Sequence, residues 1–124
     1  MNATRRSKST ASVDLEPMRE TARTVLNPDG GPAVPESGDA EVAATTELLR
    51  SHLELLLPEV EAVAGKLPDG IATYCALACV GEARGKLRTQ PLPRPGGALA
   101  YARRLARVLI ALCDHHARMV GESR

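Results

Sequence analysis

VAATTELLRSHLELLLPEVEAVAGKL, residues 42–67, carries two apolar columns with a seven-residue repeat. Val42, Leu49, Leu56 and Val63 form one; Thr46, Leu53, Val60 and Leu67 form the other. Residues seven apart lie on nearly the same side of an α-helix, and adjacent columns merge into one continuous seam. The stretch therefore reads as a long helix, beginning after Asp39, with one face against other helices. Pro58 lies inside it and removes a backbone donor, so either a kink or a new helix in nearly the same direction is expected there. The unbroken seam favours the kink. Gly65, Pro68 and Gly70 mark the turn that follows, with Asp69 placed to cap the next helix.

Two more amphipathic stretches lie beyond this turn, Ile71 to Leu87 and Leu99 to Val120. From Ile71 to Gly81 the side chains are apolar or small on all sides, the pattern of a central helix contacted by several neighbours. It is expected to be the most buried element, with Ala78, Gly81 and Gly85 forming a smooth groove for close packing within the bundle. Gln90 to Gly97 reads as a stiff, extended connector rich in proline. The last helix turns Leu99, Ala102, Ala106, Leu109, Cys113 and Val120 inward and Arg103, Arg107, Asp114 and Arg118 outward.

On the N-terminal side, Asp14 can cap a short helix whose stripe is Leu15, Met18, Ala22, Val25 and Leu26, with Pro17 tolerated in its first turn. Asn27-Pro28-Asp29-Gly30-Gly31 ends it. The fold class expected is all-α, a small bundle of three main helices with a shorter, loosely attached N-terminal helix and a disordered N-terminus. The divisions are a tail at 1–13, a short amphipathic helix at 14–26, a flexible linker at 27–39 and the bundle domain at 40–120.

Composition narrows the function classes. The chain has no Phe or Trp, and only Tyr74 and Tyr101 supply aromatic rings. With the N-terminal third poor in apolar residues, roughly 80 residues must supply the core. Leu, Val, Ile and Ala bury modest area each, which points to marginal stability or to burial against a partner. A net charge of +1 excludes a global field that would recruit nucleic acid or an anionic membrane. No run approaches a membrane span, and Arg5-Arg6 is not followed by an apolar segment. Three cysteines, an odd count set in helices, do not form a secreted disulfide framework, so a cytoplasmic location is expected.

Three segments carry a resemblance: Leu49 to Glu61 (LRSHLELLLPEVE), Tyr74 to Arg84 (YCALACVGEAR), and Ala100 to Arg107 (AYARRLAR) with Leu112-Cys113-Asp114-His115. They resemble a family of small, uncharacterised Streptomyces-type helical proteins associated with natural-product biosynthesis, over roughly residues 45 to 118. The resemblance implies an actinobacterial cytoplasmic helical protein near secondary metabolism. It brings no reaction, cofactor or catalytic residues.

The one constellation with chemical potential is Cys75 and Cys79, four apart on one helix, with Cys113 and His116, three apart on another. Were the two helices aligned in depth, two thiolates facing a thiolate and an imidazole would make a four-ligand zinc site, and a thiol pair would suit redox chemistry. Against this, buried free cysteines commonly serve as small hydrophobes, and no tight CxxC knuckle is present. His116 and His52 both border leucine stripes. Arg103, Arg104, Arg107 and Arg118, extended by Arg84, Lys86 and Arg88, form a candidate basic surface; its alternative is a solvated face offset by Asp114 and nearby glutamates. Without aromatic platforms, nucleic-acid binding is not expected. Glu54, Glu59 and Glu61 are explained by solubility, and no Ser-His-Asp order, phosphate-binding glycine loop or HExxH occurs. Neither catalysis by this chain alone nor a cofactor is expected. The reading is an accessory or regulatory protein that acts with a protein partner or by self-association, in one form through Leu48 and Leu55; the alternative is a metal or redox module. A carrier for a natural-product intermediate would need a cavity between helices.

Overall fold

The computed structural model describes residues 13–26 and 39–122. It contains four α-helices and, among the described residues, no strand: α1 (Leu15–Leu26), α2 (Asp39–Gly65), α3 (Ile71–Leu87) and α4 (Gly97–Glu122). The tail at 1–12 and the linker at 27–38 lie outside the described residues.

The seam expected on α2 is buried. Leu49, Leu53, Leu56 and Val60 are fully enclosed, in one cluster with Leu105, Leu109 and Leu112 of α4. Pro58 neither ends α2 nor starts a new helix. Its ring leaves the carbonyl of Glu54 without an intrahelical donor, at an exposed residue of the helix.

The centre of the bundle is α4, not α3. α2 and α4 both pack against each of the other three helices, with the three most extensive contacts all made by α4, while α1 and α3 do not touch one another. The expectation that α3 would be the most buried element fails. Ile71 is 82% exposed, Tyr74 75% and Leu77 44%. An apolar circumference implies neighbours on all sides, and the described residues supply them on one side only.

α1 is built into the core rather than loosely attached. The Asp14 carboxylate accepts a 3.2 Å hydrogen bond from the Glu16 N–H, capping the helix as expected. Met18, Ala22 and Val25 are buried, and Arg19 reaches Asp114 of α4 at 2.7 Å. Arg103 Nε donates to the Val25 carbonyl at 3.4 Å, and Thr21 Oγ1 lies 3.3 Å from His52 Nε2. Since the Thr21 hydroxyl donates to the Pro17 carbonyl, His52 Nε2 is the donor in that pair.

The C-terminal end of α3 is closed by other helices. Arg50 of α2 donates from Nη2 to the Leu87 carbonyl at 2.8 Å and from Nη1 to Tyr101 Oη at 2.6 Å. The Tyr101 hydroxyl, on α4, lies 2.9 Å from the Lys86 carbonyl and 3.0 Å from that of Thr89, and its single proton serves them. Last-turn carbonyls need such partners. At the other end Asp69 does not cap: the N-cap is Gly70, in extended conformation with no side-chain hydrogen bond.

The connector is not extended throughout. The Arg94 N–H donates to the Leu92 carbonyl and the Gly97 N–H to the Arg94 carbonyl, both at 2.9 Å. Pro95 followed by Gly96 at φ 80° is the residue order of a type II turn. This folding presses the Leu92 carbonyl onto the start of α4, where a Cβ on Gly97 would lie 2.1 Å from its oxygen. Gly97→Ala is expected to destabilise the fold by about 1–3 kcal/mol through forced backbone displacement; a thermal melt beside the wild type measures it.

Candidate functional site: the outer face of α3

The chemical candidates do not assemble. Cys75 is exposed, whereas Cys79 and Cys113 are buried, and all three are free thiols. Burial pushes both Cys79 and Cys113 up to about 11, so they stay protonated at neutral pH. His116 is buried with Nε2 lacking a hydrogen-bond partner and Glu59 Oε2 at 3.6 Å, the approach of a carboxylate rather than of a thiol. Among the described residues no group of three or more His, Cys, Asp or Glu side chains can hold a metal ion. Two thiols four apart need not share an environment: Cys75 falls outside the packed arc of α3 and Cys79 within it. A thiol reagent should therefore label Cys75 alone in the folded protein and reach Cys79 and Cys113 only on unfolding; mass spectrometry of pulse-labelled protein gives the count.

The basic surface is used within the fold only in part. Arg103 holds the end of α1, and Asp114 is taken by Arg19. Arg84 grips Glu61 of α2 through two hydrogen bonds, 2.6 and 3.0 Å. Lys86 stands 3.5 Å from Glu82. Arg104 and Arg107 line an open groove between α3 and α4 with Glu82, Lys86, Val108 and Ala111. Arg118 is exposed.

The hydrogen bonds from Arg84 hold the Glu61 carboxyl below its ordinary 4.5. A carboxylate with a depressed folded pKa contributes stability that is complete above the unfolded value and is lost as pH falls through the folded one. Glu61→Gln should therefore flatten the acid limb of the stability profile below about pH 4.5, read as melting temperature against pH.

What remains is the outer face of α3. Ile71, Tyr74, Cys75, Ala78 and Gly81 are all exposed there, and Glu82 is the only charge among them. A Cβ placed on Gly81 or Gly85 would meet nothing within 4 Å. The groove expected at Ala78, Gly81 and Gly85 is thus not filled by any helix of the described residues. Each glycine costs the helix about 1 kcal/mol relative to alanine, and no contact among the described residues requires it. A smaller apolar exposure occurs on α2, where Leu48 is 48% and Leu55 62% exposed.

Comparison with family models matches residues 16–120 to a family of unknown function, DUF6415. The chain belongs to this family. The match takes in α1 as well as the three longer helices, in keeping with a core to which α1 contributes. Comparison with curated proteins and with solved structures found no match. The DUF6415 description assigns no activity, so the α3 face carries the functional reading.

Proposed function

We propose that this DUF6415 chain is an accessory or regulatory protein that works by association, and that the outer face of α3 is where its partner binds. The observation that carries the reading is a helix apolar around its whole circumference with Ile71 and Tyr74 left in solvent. Scattered apolar residues on a surface need no explanation, but a contiguous, nearly uncharged helix face does. The occupant that fits is another apolar helix, laid along α3 with its side chains over Gly81 and Gly85.

Other features fit a cytoplasmic setting: three free thiols, and no helix among the described residues long and apolar enough to cross a membrane. The sequence resemblance supplies the proposed context, natural-product biosynthesis in an actinobacterium. Carriage of an intermediate is less well supported: the cleft among α1, α2 and α4 lined by Val25, Val42 and Leu99 holds about 80 Å³, and the roomier hollows, about 270 Å³ beside Arg104 and Arg107 and about 370 Å³ at the turn from Leu67 to Thr73, are open surface depressions.

A photo-crosslinking amino acid at position 74 tests the reading, with the same group at exposed position 118 as control. Protein adducts are expected from position 74 in cells, and they should vanish when Ile71→Asp is added. A folded chain that gives no protein adduct at 74 would contradict it.

A further inference from the structure

The association read above does not name the partner, but the pattern of residues on α3 does. The face is symmetric in depth about Ala78: reversed about that residue, Ile71 comes level with Gly85, Tyr74 with Glu82 and Cys75 with Gly81. Bulk lies at one end and bare backbone at the other. We propose that a second copy of this chain occupies the α3 face, the two helices running antiparallel across a two-fold axis at Ala78. The proposal rests on the reading of α3 as an association surface.

Size decides the direction. Antiparallel copies seat each Ile71 over the Gly85 of the other copy, where the chain itself leaves the space beyond Cα empty. A parallel pair would set Ile71 against Ile71 and glycine against glycine, splaying one end and leaving a void at the other. Small residues allow two helix backbones to approach closely, and this supplies the reason for glycine at 81 and 85 that no contact among the described residues provides.

Charge agrees. Asp69 stands before the start of α3 and Arg88 just after its end, both exposed, and neither has an ion pair among the described residues. Antiparallel copies bring each Asp69 toward the other copy's Arg88, and the helix dipoles oppose favourably. A two-fold interface must be self-complementary, and this face meets that condition. One helix per copy is a small contact, so the dimer should be concentration-dependent.

Sedimentation of the purified full-length chain over a concentration series is the test. Wild type should form a reversible dimer. Gly81→Ala combined with Gly85→Ala should raise the melting temperature of dilute protein yet weaken the dimer about tenfold or more, because two methyl groups now hold the helices apart. Opposite movement of the two readouts separates an interface from a folding defect. In a Cys75→Ser background, Ala78→Cys on the axis should oxidise to a disulfide-linked dimer and Leu55→Cys should not. A dimer indifferent to the double glycine variant, or one linked through Leu55→Cys, would overturn the proposal. A monomer at every concentration that still gives position-74 adducts with a different protein would overturn the second copy alone. A monomer without adducts would overturn the association reading too.

Discussion

The leucine seam between α2 and α4 is the contact on which the other elements depend. Leu49, Leu53 and Leu56 meet the cluster of Leu105, Leu109 and Leu112 with no exposure of any of the six. In a chain without Phe or Trp these side chains are the largest units of burial available apart from Tyr101, each contributing about 1.5–3 kcal/mol on removal from water. α1 and α3 then dock on this pair without touching one another. α4 is amphipathic, with a leucine and alanine arc inside and Arg107, Asp114 and Arg118 outside, which suits a hub that still keeps one side wet.

Hydrophobic burial alone does not decide which side of α3 faces inward, because from Ile71 to Gly81 its side chains are apolar or small all round. Directional polar contacts do. Arg84 and Glu61 pair in a two-bond fork beside α2, and Arg50 with Tyr101 takes the carbonyls at the end of the helix. Such contacts add less net stability than the leucines but are specific in geometry. They turn Ala76, Val80 and Ala83 to the core and leave Ile71, Tyr74 and Gly81 outside. The exposed apolar face is therefore a consequence of the polar ties.

This also explains what could and could not be seen in the residues alone. The two columns of α2, the Asp14 cap and the Gly and Pro boundaries are local signals, and all of them appear in the fold. The location of the hub was not legible, since an apolar circumference reads equally as burial by the same chain or by another. Arg50 was hidden for a different reason. It sits between apolar columns like any solvated arginine, and its partner Tyr101 is 51 residues away. Cys75 and Cys79 show the limit of spacing arguments: a rotation of about 40° between thiols four apart on a helix is enough to put one in solvent and one inside.

The proposal that organises this account is that a second copy of this chain binds the outer face of α3. Amide chemical shifts recorded over a dilution series test it residue by residue, without any substitution. The account predicts concentration-dependent shifts at Ile71, Tyr74, Ala78, Gly81 and Gly85, with Leu48 and Leu55 unchanged. Shifts confined to Leu48 and Leu55, or a spectrum that does not change with concentration, would contradict it.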